Sequence, residues 1–246
     1  MFFIRISKKK IKSLFFKKKY VLIWNDHDTS SSQKICQILK SNNNEYFYEV
    51  IDEPRDLLYY PVGNKFMKVI IFFVTDVTKF SEKPKERILI EQKIITHLKG
   101  GGTFIGTHDV IYRRCRNREL EFAFGCQLNN FKRTDKPIEA QIVIGHETNP
   151  LLRGLDKVFL LDDGEVCWGD WEQDVNIIVE TKKGFNGRKK VPLIVTRRYS
   201  FEGLLIWFNS GDKFLGLPTS IAKPEESLIK LISNTIEFEA EIKALS

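Results

Sequence analysis

Lys99-Gly-Gly-Gly-Thr-Phe-Ile-Gly-Thr-His-Asp109 decides the fold. A helical run precedes it, Lys85 to Leu98, with Ile88, Leu89, Ile90, Ile94, Ile95 and Leu98 as its apolar members. Three glycines then end the helix, because glycine tolerates the left-handed backbone that turns a chain out of one. A short apolar strand, Thr103 to Gly106, follows and runs into Thr107-His108-Asp109. Helix, glycine turn, strand and polar corner form one repeat of an α/β sheet. In such sheets ligand sites gather where strands end, and His108 and Asp109 stand at that place.

The flanking sequence repeats the pattern. Tyr20 to Trp24 reads as a first strand ending in Asn25-Asp26-His27-Asp28, and Thr29 or Ser30 caps a helix through Lys40. Tyr46 to Ile51 is a second strand. Met67 to Val74 is a continuous apolar run, the mark of a strand buried on both faces, and ends in Thr75-Asp76. Leu120 to Phe124 belongs to a helix, and Ile138 to Ile144 alternates as a strand. The second half is richer in strands: Val158 to Leu161, Asn176 to Glu180, Pro192 to Val195 and Leu204 to Phe208, with a hairpin turn at Asn186-Gly187. A last helix, Glu225 to Phe238, aligns Leu228, Leu231, Ile232 and Ile236 on one face. The expected fold class is α/β: a mostly parallel sheet flanked by helices, with a β-rich second half set in as an insertion. Residues 20–246 read as a single domain behind a basic extension, residues 1–19.

Charge sharpens this division. The net charge is +7, yet eight Lys/Arg lie within residues 1–20 with no acid among them. The remainder carries 31 basic and 32 acidic side chains. A near-neutral body argues against a surface that tracks nucleic-acid phosphates. The basic segment, with Ile11, Leu14 and Phe15 at helical spacing, suits docking to a protein partner or an anionic surface. No apolar run reaches the ~20 residues of a membrane span, and no signal peptide is recognisable. Cys36, Cys115, Cys126 and Cys167 form no C-x-x-C pair and read as buried free thiols of a cytoplasmic protein.

Four segments in this order resemble the trehalose-utilisation (ThuA-like) branch of the class I glutamine amidotransferase-like fold. Gly100-Gly-Gly-Thr-Phe-Ile-Gly-Thr-His108 is similar to its glycine turn, strand and histidine. Asn149-Pro150-Leu-Leu-Arg-Gly154-Leu155 is similar to its His-Pro-x-x-x-Gly-Leu. Phe159-Leu-Leu-Asp-Asp-Gly-Glu165 is similar to its apolar strand ending in Asp-Glu. Pro192-Leu-Ile-Val-Thr-Arg-Arg-Tyr-Ser-Phe-Glu-Gly203-Leu-Leu-Ile is similar to its Pro-x-x-Trp-x-Arg-x-x-Gly-x-Gly-Arg-Val. The resemblance covers residues 20–238 and implies a flavodoxin-like three-layer domain acting on a sugar or modified glycoside. The departures are Asn149 for histidine, Ser200 and Glu202 for glycines, Leu204 near an arginine, and Ser210-Gly211-Asp212 near a Gly-His pair.

Glutaminase chemistry needs a cysteine nucleophile on the turn after a strand. Histidine occupies that turn here, and none of the four cysteines follows a glycine-bearing strand. Polar groups instead collect at strand ends. His108, Asp109, Glu165 and His27 are the candidate catalytic residues, an imidazole near carboxylates being suited to proton transfer near neutrality. The same groups suit a divalent metal, and both chemistries stand open. Asp26, Asp76, Thr107, Trp168 and Trp171 are the candidates for binding a sugar-like small molecule, the tryptophans through their flat apolar faces. The bland alternative is that these residues cap helices, close turns or fill the core. A non-catalytic binding module that kept the fold is the other function class.

Overall fold

The computed structural model describes residues 18–26, 29–74, 78–134, 136–161, 165–200, 202–209 and 226–246. Eleven strands are seen among them: β1 Tyr20–Asn25, β2 Phe47–Val50, β3 Met67–Phe73, β4 Thr103–Thr107, β5 Cys126–Arg133, β6 Ile138–Ile142, β7 Val158–Leu161, β8 Glu165–Trp171, β9 Asn176–Thr181, β10 Pro192–Tyr199 and β11 Gly203–Phe208. The helices are α1 Thr29–Asn42, α2 Pro84–Lys99, α3 Arg118–Phe124, α4 Glu226–Glu237 and α5 Glu239–Leu245. Nine strands form one sheet in the order β2-β1-β3-β4-β11-β10-β9-β6-β7. The first five are parallel neighbours, and from β11 onward every pairing is antiparallel. The β-rich half therefore extends the main sheet. Only β5 and β8 stand apart, as a two-stranded antiparallel ribbon.

The apolar runs explain this arrangement. β1, β4 and β11 are buried along their whole length, as strands covered on both faces must be. Alternate residues feed two cores. Val21, Ile23, Val69, Ile71 and Ile105 join α1 and α4 on one face, and Leu22, Ile70, Phe72 and Phe104 join α2 and α3 on the other. Leu228, Leu231, Ile232 and Ile236 of α4 are all buried in the first core, as their spacing predicts. In α2 the buried stripe is narrower than the apolar composition suggests. Ile90, Ile94, Ile95 and Leu98 face the sheet, while Ile88 and Leu89 are exposed. Strand β6 stops at Ile142, two residues before the expected end, because Val143 turns to accept a hydrogen bond from His146 N. Asn186 and Gly187 take φ of 50° and 78°, the left-handed pair of a type I′ hairpin turn between β9 and β10.

The glycine turn before β4 has two distinct causes. Gly101 is left-handed at φ 76°, the helix-ending role expected of it. Gly102 is glycine for space: a Cβ there would lie 1.9–2.3 Å from ring atoms of His97. His97 is fully buried, accepting from Gly63 N at 3.2 Å through Nδ1 and facing Thr103 O at 3.0 Å through Nε2. Both ring nitrogens are used in the neutral form. Beside it, Glu239 of α5 receives the Thr103 hydroxyl and pairs with Lys68 and Lys243, and Lys243 reaches Gly101 O at 2.6 Å.

Burial lowers the His97 pKa from 6.5 to about 4. The unfolded chain thus binds a proton between those values that the folded chain refuses. Stability is expected to fall as pH drops from 6.5 to 4, by up to ~1.4 kcal/mol per pH unit from this group, and to flatten below 4. Urea unfolding of the wild type and His97→Gln at matched pH isolates this part, since the variant keeps the slope due to every other titrating group.

Candidate functional site

The chain leaves β4 through a sharp reversal. His108 has φ 37°, a left-handed value rare outside glycine, and opens a 3-10 turn over His108–Ile111. Gly106 makes room for it, since a Cβ there would lie 2.6 Å from Val110 Cγ1. Hydrogen bonds clamp the corner to Val74, one residue past β3. The Thr107 hydroxyl accepts from Val74 N at 3.0 Å, and Asp109 N donates to Val74 O at 3.1 Å. From β11, Trp207 Nε1 donates to His108 O at 3.1 Å.

The ribbon brings the other half of the site. Residues two apart on a strand share a face, so Glu165 and Cys167 of β8 point the same way, toward His108 and Asp109. Val166 and Trp168 point into the opposite core. Asn209, fully buried just after β11, fixes this segment. Its Oδ1 accepts from Cys167 N at 3.0 Å, and its Nδ2 donates to Cys167 O at 2.8 Å and Pro192 O at 3.0 Å.

Four side chains consequently meet. One ligating atom each from His108, Asp109, Glu165 and Cys167 lies within 4.8 Å of all the others. Cys167 Sγ is 3.6 Å from His108 Nε2, from Asp109 Oδ1 and from Glu165 Oε1. His108 Nδ1 is 3.5 Å from Asp109 Oδ1, and Nε2 is 3.4 Å from the Glu165 carbonyl. His108 and Cys167 are 0% exposed, whereas Asp109 and Glu165 retain 4% and 6%, so the carboxylates are the groups nearest solvent. Arg133, half-exposed, lies 3.6 Å from Glu165. Burial pushes the Cys167 thiol up; His108 opposes this and the two carboxylates add to it. Burial raises the Glu165 carboxyl as well, again with His108 opposing and Asp109 adding. The thiol therefore stays protonated, and the acid of raised pKa beside an imidazole is the pair suited to proton transfer.

The remaining candidates fall elsewhere. His27 and Asp76 lie outside the described residues, as do Asp162, Asp163 and Ser210-Gly211-Asp212. Asp26 directly follows β1, its N–H donating to Phe73 O, and is not one of the four clustered groups. Thr107 spends its hydroxyl on Val74. Trp168 packs against Phe185 at 6.2 Å, and Trp171 against Trp207 at 5.1 Å. Asn149, which stands for the family's histidine, caps the short turn Pro150–Leu152 by accepting from Leu151 N. A cavity of ≈ 330 Å³ opens between Asn42, Tyr46, Tyr48 and Ser233, at the other end of β2 and without imidazole or thiol. Sequence reasoning missed Cys167 and Asn209. The signal for Cys167 was its two-residue spacing from Glu165 within an apolar-alternating stretch.

A ThuA-like protein from Parabacteroides merdae matches with a TM-score of 0.62 at 12% identity, over 91% of this chain and 90% of its own. A glutamine amidotransferase from Thermotoga maritima matches at 0.56 and 10% identity, over 91% and 98%. The chain has a glutamine amidotransferase-like fold. A GH42 β-galactosidase shares it over 78% of this chain but 27% of its own length, at 0.51 and 11% identity. No family model and no curated protein sequence matches. Among the described residues, no helix is long and apolar enough to cross a membrane.

The four cysteines are free, and their exposure predicts their reactivity. Iodoacetamide at pH 8 is expected to label half-buried Cys36 first. Cys167 should react ~10-fold or more slowly, because its raised pKa leaves little thiolate. Peptide mapping by mass spectrometry checks the order; rapid native-state labelling of Cys167 would contradict the geometry described.

Proposed function

We propose that this chain is a ThuA-like enzyme that acts on a sugar or modified glycoside by acid–base chemistry centred on His108. The observation that carries the reading is the convergence of one imidazole and two carboxylates at the carboxyl ends of the parallel strands, the place where sites form in open α/β sheets. His108 moves the proton, Asp109 beside Nδ1 orients the ring, and Glu165, whose carboxyl pKa burial raises, serves as the second acid. The sugar-like substrate class comes from the resemblance, as do the flavodoxin-like layering and a cytoplasmic setting. His27, Asp26 and Asp76 are proposed to line the substrate's approach, since β1 and β3 end at the same rim as β4. Glutaminase activity is not part of the proposal. The corner after β4 presents an imidazole, and the nearby thiol sits on a different element and stays protonated. On a panel of keto-sugars and disaccharides, His108→Asn is expected to lose ~10²–10⁴-fold in turnover of the accepted substrate. Asparagine tolerates the left-handed backbone, so the fold is kept. Unchanged turnover would remove His108 from the chemistry.

The segment 1–19, with its eight cations, favours a second reading: a binding module that docks a protein partner through this extension. Deleting residues 1–19 is then expected to abolish partner recovery in a pulldown, while sugar turnover is unaffected. Equal recovery by both forms would leave the extension without a docking role.

A further inference from the structure

We propose that His108, Asp109, Glu165 and Cys167 form a tetrahedral site for a thiophilic divalent cation, with Zn²⁺ the ion that fits best. The inference rests on the same site as the proposed function and adds its cofactor. The spacing is the first argument. Zinc bond lengths of ~2.0–2.1 Å to N and O and ~2.3 Å to S put neighbouring ligands of a tetrahedron ~3.3–3.6 Å apart. Sγ lies 3.6 Å from each carboxylate oxygen and 3.7 Å from His108 Nδ1, which is itself 3.5 Å from Asp109 Oδ1. The N···O separation is long for a hydrogen bond, whose usual range ends near ~3.2 Å. These groups are spaced to surround a common centre.

Charge is the second argument. Two carboxylates and a thiol share a buried volume, and the guanidinium nearest Glu165, that of Arg133, is 54% exposed in its side chain. Two carboxylates buried this close together disfavour each other's charge, and a divalent cation between them offsets that cost. The outer partners agree with this. His108 Nε2 faces the Glu165 carbonyl, the type of contact that fixes a ligating histidine and leaves Nδ1 for the ion. Asn209 and Trp207 hold the backbones of Cys167 and His108. The sulfur decides selectivity, because Mg²⁺ and Ca²⁺ prefer an all-oxygen shell. Binding is an exchange: the Cys167 S–H bond breaks, its proton leaves to solvent, and the sulfur lone pair forms the bond to the ion, with no change of oxidation state.

The test is calorimetry and absorption spectroscopy on the full chain after chelator dialysis. One Zn²⁺ per chain is expected, with about one proton released per ion when titrations in buffers of different ionisation enthalpy are compared. Co²⁺ should give a near-ultraviolet sulfur-to-metal band that is lost in Cys167→Ser and kept in Cys115→Ser. Cys167→Ser and His108→Asn should each weaken Zn²⁺ binding by more than the ~10–100-fold typical of losing an outer partner. Absence of stoichiometric Zn²⁺ binding overturns the inference, as does a Co²⁺ band that survives Cys167→Ser, or Mg²⁺ competing equally. The wild-type band reports thiolate ligation even if a variant fails to fold. Failure here with His108-dependent sugar turnover intact leaves the acid–base reading standing, and Zn²⁺ binding without turnover removes that reading alone.

Discussion

A left-handed residue at the end of a buried strand costs a non-glycine side chain ~1–2 kcal/mol, and His108 carries that cost at φ 37°. Three hydrogen bonds around it, two to Val74 and one from Trp207, contribute ~0.5–1.5 kcal/mol each. Their sum is enough to hold the turn. The corner in turn sets everything chemical about the molecule. It lifts the imidazole out of the strand's line and aims it at the ribbon, and it places Asp109 one residue on, against the same sulfur. Replace Gly106 by anything larger and Val110 obstructs the turn, so the requirement reaches back into the strand itself.

The two halves of the sheet serve different ends. The parallel half supplies the rim on which the corner sits. The antiparallel half supplies length, and through Asn209 a fixed point for the ribbon that covers that rim. Asn209 joins three stretches of chain, the end of β11, the start of β10 and Cys167 on β8, through a single amide. Such a buried amide, fully satisfied, specifies one arrangement of the strands because any shift would strand its donors and acceptors.

Most of the sheet was legible because continuous apolar runs such as Met67–Phe73 and Gly203–Phe208 have one physical solution, burial on both faces. The ribbon was not. Cys-Gln-Leu-Asn-Asn-Phe-Lys-Arg and Glu-Val-Cys-Trp-Gly-Asp-Trp mix polar and small residues, and each strand is stabilised by its partner more than by its own composition. The site was half legible for the same reason. His108 and Asp109 lie beside a signal that local pattern reveals, the glycine turn and strand. Glu165 was picked out as a strand-end carboxylate, but Cys167 reaches the cluster only through a pairing of β8 with β5 that no short window contains. The tryptophans show the opposite outcome: Trp168 and Trp171, chosen for their aromatic faces, are packed against Phe185 and Trp207.

Strand β4 is held at both ends by groups outside itself. Its last residue, Thr107, is fastened to Val74, whereas its first, Thr103, gives its hydroxyl to Glu239, a carboxylate that Lys68 and Lys243 also grip. Lys243 adds a bond to Gly101, in the turn that launches the strand. The helix Glu239–Leu245 thus works as a latch on the far side of the sheet from the imidazole. Order at the corner is inherited along five residues of backbone from a cluster of charges that never touches it.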